Sequence, residues 1–458
     1  MVFSTTLFLF IYLPVVLLLY YVTPLRWRNV VLLIANLVFY GWGEPVYIAV
    51  MAASVLFDYV LGMLIEKNRN KESAAKAFVA LSVVLNLGLL VFFKYTDFIA
   101  ANIGKSPLGI ALPVGISFYT FQKMSYIIDV YRGDAKAQRN IVSFATFVTL
   151  FPQLIAGPII KYRDVAAQID SREHNFDRFS AGICTFMVGL AKKVLLANNI
   201  GMLWDVYKAC DPSGVSVLGA WLGAAAFTFQ IYFDFSGYSD MAIGLGRMFG
   251  FEFKINFDYP YISKSITEFW RRWHISLGSW FREYLYIPLG GNRVSVPRHM
   301  LNLLIVWAAT GIWHGASWNF LIWGLYYGVI LVLEKLFLLK ALEHLPKAVR
   351  VVYSMFIVII GWVIFSIEDL SSFTAYIGAM FGASGTGAVW SDVYYLLSYL
   401  PLIVVMALAS TPLAKTLYLK LGERARGVFC LCAVIAGLVL CTAYLVDATY
   451  NPFLYFRF

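Results

Sequence analysis

Apolar residues run along this chain in stretches of about twenty, separated by short polar turns, from its first residues to its last. As a helix, a run of that length crosses a hydrocarbon layer roughly 30 Å thick. The pattern predicts about twelve helical spans. In the first half of the chain these are Phe3–Val22, Asn29–Trp42, Val46–Ile65, Ala77–Tyr95, Leu108–Val130 and Phe179–Trp204. The remainder are Val215–Met241, Leu301–Trp313, Trp318–Leu339, Val351–Ile367, Tyr395–Leu408 and Val428–Leu445. Two further stretches, Ile141–Ile160 and Thr267–Leu289, are apolar enough to enter a membrane but are interrupted. Pro152, Gly157 and Pro158 break the first, and Arg271, Arg272, Arg282 and Glu283 interrupt the second. Backbone groups freed by such breaks need protein or a wet cavity around them, so both stretches are expected to be re-entrant or interfacial.

Composition sharpens this into an exclusion. Hydrophobic residues make up 60% of the chain and charged residues 14%, with a mean hydropathy of +0.73. Soluble domains average about 45–50% and about 25%. A secreted enzyme, a nucleic-acid binder and a disordered scaffold are excluded. The expected fold is an all-α polytopic membrane protein with about 11–12 transmembrane helices, forming one domain over residues 1–458. Lys and Arg exceed Asp and Glu by 36 to 26, a net charge of +10. The basic residues cluster between spans, as in Lys67/Arg69/Lys71, Arg132/Lys136/Arg139 and Lys340/Lys347/Arg350. Alternate turns such as Gly43-Glu44-Pro45 and Glu368-Asp369 carry almost none. By the positive-inside rule the clusters lie in the cytoplasm and, with both interrupted stretches failing to cross, both termini face the outside. Cys430-Leu-Cys432 lacks the spacing of a zinc site, so no metal is expected.

Ionisable groups at membrane depth are costly and are therefore candidates for function. Of five histidines, His174, His299 and His344 fall in basic connecting segments, where a solvated imidazole is the bland reading. His314 sits instead at the junction of two apolar spans, in Trp313-His-Gly-Ala-Ser-Trp-Asn319, with Gly311 and Gly315 around it. On a continuous helix Thr310 would lie one turn before it and Trp318 one turn after. An imidazole there can accept a proton from a hydroxyl nucleophile. A histidine that merely hydrogen-bonds between helices is the competing reading.

His274 follows Arg271, Arg272 and Trp273. Paired guanidiniums suit a phosphate-bearing donor such as coenzyme A, although arginines and tryptophans of an interfacial helix would look the same. Asp234, Tyr238 and Asp240 form a third polar cluster inside an apolar run. They are expected to form a network that scaffolds a cavity, or else a proton or ion path. Gln153, beside Pro152 and ahead of Gly157-Pro158, is expected to face the same internal space.

Several segments together resemble the membrane-bound O-acyltransferase (MBOAT) family, in its bacterial alginate-O-acetylase-like branch. They are Leu112–Gln122, Phe151–Pro158, Phe233–Asp240, Phe269–Leu277, Tyr284–Arg293 and Trp313–Trp318, which fall in family order along nearly the whole chain. The resemblance implies a multi-helix fold with a funnel leading to a tunnel. It implies that His314 is the catalytic histidine and His274 the second signature position. On this reading Arg271, Arg272 and Trp273 are expected to bind the donor, and Asp234, Tyr238, Asp240, Gln153, Trp313 and Asn319 to form the tunnel and its support. It implies no permanently bound cofactor, with acetyl-CoA as the acyl donor. The acetyl group would be relayed to an extracytoplasmic SGNH-type partner that esterifies a polysaccharide acceptor. D-alanyl transfer toward teichoic acid is the alternative within the family, and an export component for an envelope polymer is the alternative outside it.

Overall fold

The computed structural model describes residues 1–211, 214–447 and Leu454, and among them there is helix but no strand. The described residues pack as two compact units, one of Met1–Met187 with Tyr238–Ile255 and the other of Val188–Gly237 with Asn256–Phe458.

The first unit begins with α1 (Phe8–Val22), α2 (Arg28–Gly41), α3 (Tyr47–Lys67) and α4 (Glu72–Asn102). It continues through α5 (Ile116–Arg132), α6 (Ile141–Thr149), the single turn α7 (Phe151–Leu154) and α8 (Tyr162–Asp170). Next come α9 (Phe176–Ala209) and α10 (Val217–Met248), each divided between the units. Its core is aromatic: Phe3, Phe8, Tyr12, Phe39 and Phe151 pack with ring centroids 5.0–6.3 Å apart in the contacts among them. Asp58 of α3 and Lys123 of α5, both fully buried, pair at 3.3 Å. Asp58 also accepts hydrogen bonds from Ser82 (2.6 Å) and Asn86 (2.8 Å) of α4. A buried ion pair persists only when its remaining lone pairs are satisfied in this way.

The Ile141–Ile160 stretch is broken as expected, into α6 and α7, and residues 146–160 are all buried in protein. Asn140 caps α6 through Val142 N at 2.9 Å. Gly115, at φ +78° before α5, lies so close to Leu154 that a Cβ there would stand 2.5 Å from its carbonyl oxygen. Only glycine fits that backbone conformation and that approach.

The second unit contains α11 (Ile266–Arg272), α12 (Ile275–Phe281), α13 (Val296–His314), α14 (Trp318–Glu343) and α15 (Lys347–Ser366). It ends with α16 (Leu370–Met380), α17 (Trp390–Ala409), α18 (Leu413–Lys420) and α19 (Glu423–Asp447). Helices α13 and α14 pack closely because Gly311 lets their backbones meet. A Cβ at Gly311 would lie 2.3 Å from the carbonyl oxygen of Phe320.

Among the described residues seven helices, α3, α4, α9, α14, α15, α17 and α19, are long and apolar enough to cross a membrane, and α1 is a shorter apolar helix. The other expected spans are also largely helical, except that Leu108–Val130 begins its helix only at Ile116. Of these, α2 has only 14 residues, and α5 carries Lys123, Asp129 and Arg132. The polar Asp234–Asp240 cluster interrupts the apolar course of α10. The protein is an all-α, multi-pass membrane protein.

Candidate active site

The site is built on a broken helix. Ser265 caps α11 by accepting from Glu268 N (3.0 Å), while the Glu268 carboxylate accepts from Lys264 N (2.9 Å). The same helix start is held by Glu334 of α14, which is 1% exposed. Its carboxylate accepts from Ile266 N (2.7 Å), Thr267 N (2.8 Å), Thr267 Oγ1 (2.6 Å) and Tyr353 Oη (3.1 Å). An anion at a helix N-terminus answers both the unpaired N–H groups and the helix dipole.

Helix α11 stops after two turns, and His274 adopts a left-handed backbone, φ 46° and ψ 53°. A non-glycine residue in that region is strained and must be held by its surroundings. The hold is visible on both sides. Ahead of it, Asp258 N donates to Arg272 O at 3.0 Å. Behind it, Ile275 N donates to Asn256 O at 3.0 Å, and Ser276 donates through N (3.1 Å) and Oγ (2.9 Å) to Asn256 Oδ1. The imidazole, buried, meets the Phe235 ring edge-on at 4.7 Å.

His314 is the last residue of α13, where Gly315 turns the chain to an extended backbone. Its ring, also buried, is walled by Trp323 (5.0 Å), Trp313 (5.1 Å) and Phe365 (5.3 Å), each close to perpendicular. Asn319 fixes the next helix by donating to the carbonyls of Ile364 and Phe365, both at 3.2 Å. Trp318 opens α14 and is half exposed, so it does not lie one helical turn beyond His314; the break at Gly315 intervenes. Thr310 keeps the expected position but spends its hydroxyl on Val306 O at 2.7 Å.

His274 and His314 face one cavity of about 400 Å³. Arg271, Trp273, Arg282 and Thr310 also line it. Arg271 and Arg282 are exposed and both histidines are buried, so cationic side chains stand at the accessible part of a space that ends at imidazoles. This arrangement can hold an anionic, extended molecule with its reactive end inward.

Arg272 does not join the cavity lining. It pairs with Glu268 (3.0 Å) and Asp258 (3.1 Å) and donates to the Asp258 carbonyl at 3.0 Å, which ties α11 to the segment before it. Asp234 forms a buried ion pair with Lys193 at 2.6 Å and accepts from Leu454 N at 3.0 Å. Tyr238, in the first unit, stacks on Phe3 at 4.6 Å, and Asp240 is half-buried there. Gln153 is fully buried and donates to the carbonyl of Phe147. Two of the remaining three histidines depart from simple solvation. His174 is half-buried against Tyr20 Oη (2.8 Å), and His299 lies in the first turn of α13 and pairs with Tyr286 Oη (2.9 Å). His344 is exposed. Glu334, Asn256 and Lys193 were not singled out by spacing; for Glu334 the available signal was a carboxylate inside an apolar span.

A membrane-spanning helical protein with two buried imidazoles and exposed arginines on one cavity fits the class of membrane-embedded group-transfer enzymes. The family model for membrane-bound O-acyltransferases matches residues 135–371, and the chain belongs to that family. A probable alginate O-acetylase, AlgI, of Azotobacter vinelandii is 46% identical over 392 residues, covering 83% of this chain and 78% of that protein. A peptidoglycan O-acetyltransferase of Helicobacter pylori is 34% identical over 426 residues, covering 84% and 80%. A teichoic acid D-alanyltransferase of Bacillus subtilis is 28% identical over 239 residues, covering 49% and 59%. The protein is a membrane-bound acyltransferase.

Proposed function

We propose that this acyltransferase takes acetyl groups from acetyl-CoA at the cytoplasmic face of a bacterial inner membrane, with both termini outside. The acetyl group passes to an extracytoplasmic SGNH-type partner and from there to the hydroxyls of an envelope polysaccharide. The observation that carries this reading is the cavity shared by two buried imidazoles, with arginines at its exposed part. The activities that name two of these relatives, alginate O-acetylation and peptidoglycan O-acetylation, support the choice of acyl group.

In this mechanism His314 takes the proton of an acceptor hydroxyl as its oxygen attacks the thioester carbonyl. The C–S bond then breaks, and the coenzyme thiolate leaves and recovers a proton. Thiolate is a good leaving group, so the protein contributes chiefly position and the exclusion of water. His274, held in its left-handed turn, orients the reacting end of the donor across the same cavity. The test uses purified full-length protein in lipid nanodiscs with acetyl-CoA and a hydroxyl acceptor. His314→Ala is expected to abolish acetyl transfer while membrane abundance and thermal unfolding stay as in wild type. Near wild-type transfer by that variant would refute the mechanism.

A further inference from the structure

A second polar site lies in the first unit, where α1 ends and α2 begins, and the acyl-transfer reading does not use it. Its centre is Tyr20, fully buried. The Tyr20 hydroxyl donates to the carbonyl of Phe249 (2.9 Å), accepts from Arg172 Nε (3.1 Å) and pairs with His174 Nε2 (2.8 Å). Two guanidiniums lie over its ring, Arg28 at 4.9 Å and Arg172 at 5.8 Å, and Arg28 is also 5.3 Å from the Tyr21 ring. Among the described residues neither arginine forms an ion pair, so two cations and an imidazole share one aromatic platform with no carboxylate answering them. The field on His174 has the same sign: burial first, then Arg28 and Arg172, push its imidazole below the usual value.

The two arginines are not equally committed. Arg172 donates to Tyr20 Oη, to the carbonyls of Gln168 and Ile169, and to Asn29 Oδ1 at 2.8 Å. It is built into the fold. Arg28 donates only its Nε, to Thr23 O at 3.2 Å, which leaves both terminal nitrogens of its fork for a ligand. A fork so presented matches two oxygens of a phosphate. The flanking residues identify the source. Val22 is 75% exposed, Leu25 69% and Trp27 54%, so the open fork sits directly beside an apolar, tryptophan-bearing rim. Tryptophan favours the boundary between hydrocarbon and headgroups, and basic pockets between helices at that depth take lipid phosphates.

We propose that Arg28, supported by Arg172 and Tyr20, forms a binding site for the phosphate of an anionic phospholipid headgroup. The acyl chains of that lipid lie along Val22, Leu25 and Trp27. Arg172 holds the platform and contributes charge, and Arg28 makes the bidentate contact.

The test measures lipid retained by the full-length protein, by native mass spectrometry, after extraction from bilayers of mixed phosphatidylglycerol and phosphatidylcholine. Wild type is expected to keep phosphatidylglycerol in preference to phosphatidylcholine. Arg28→Gln is expected to lose that preference by about tenfold, the loss of one bidentate charged contact. Arg26→Gln, which removes an exposed arginine two positions away, is expected to change it less than twofold, roughly the effect of diffuse charge alone. Equal losses in the two variants would overturn the site in favour of diffuse attraction. An unchanged preference in Arg28→Gln would overturn it outright, and displacement of the lipid by inorganic phosphate alone would replace the lipid with a free-phosphate site. Thermal unfolding of Arg28→Gln at the wild-type temperature separates these outcomes from a folding defect.

Discussion

Glu334→Ala tests whether the segment that carries His274, the proposed active-site segment, is held from outside itself. The carboxylate accepts four hydrogen bonds, from Ile266 N, Thr267 N, Thr267 Oγ1 and Tyr353 Oη, at 2.6–3.1 Å. Hydrogen bonds to a charged group contribute about 1.5–3 kcal/mol each when measured alone, but groups sharing one acceptor are not additive. Truncation strands two buried backbone N–H groups and two hydroxyls, so the expected loss is ~3–5 kcal/mol, at the upper end for a single substitution. Glu334→Gln keeps the volume but turns an NH₂ toward groups that are themselves donors, and is expected to lose about half as much. Because α11 leads directly into the turn at His274, loosening its start displaces one imidazole relative to the other. The assay is acetyl transfer in nanodiscs with kcat and KM separated, alongside thermal unfolding. The expected result is a fall in kcat of at least about tenfold with a smaller change in KM, since misplacement costs the reacting geometry most. A Glu334→Ala variant with wild-type kcat and wild-type unfolding temperature would refute the argument.

The arginine assignments separate in the same assay. Arg271→Gln is expected to raise the KM for acetyl-CoA several-fold with little effect on unfolding. Arg272→Gln is expected to lower stability by about 1 kcal/mol, a partly exposed network's worth, because its partners are Glu268 and Asp258. Lys193→Met leaves Asp234 buried without its cation and is expected to cost ~3–5 kcal/mol, seen as lost membrane abundance, while Lys193→Met combined with Asp234→Asn recovers much of it. His174 has a folded-state pKa lowered from 6.5, so the unfolded chain binds its proton more readily. Stability is therefore full above pH 6.5 and falls as the pH drops from there toward the folded value. His174→Gln is expected to flatten unfolding temperature against pH in that window, and an unchanged slope would count against the assignment.

The spans were legible because lipid demands long, uniformly apolar helices, and α3, α4, α14, α15 and α19 meet that demand with little interruption. The polar cluster in α10 was legible as costly, yet its partner was not. Lys193 lies on a different helix, and pairing of that kind leaves no periodic mark. Arg271 and Arg272 read as a pair because they are adjacent in sequence. Neighbours on a helix point about 100° apart, however, so only Arg271 reaches the cavity and Arg272 turns to Glu268 and Asp258. Arg282 registered only as an interruption of an apolar run, because its approach to the cavity depends on how the chain folds back after α12. His314 was legible from its glycines, whose function is to let α13 and α14 meet. The left-handed turn at His274 was not, since a tertiary clamp from Asn256 and Asp258 imposes it.

Helix α13, which ends at His314, meets α14 backbone to backbone at Gly311, where a Cβ would stand 2.3 Å from the carbonyl oxygen of Phe320. The opposite wall, from Thr267 to Tyr286, consists of short helical pieces joined by bends, and its side chains border the void directly. Leu303, Val306, Trp307 and Thr310 of α13 border the void as well, so room for a longer or bulkier transferred chain is set by side chains of both walls, while the contact at Gly311 admits no larger residue.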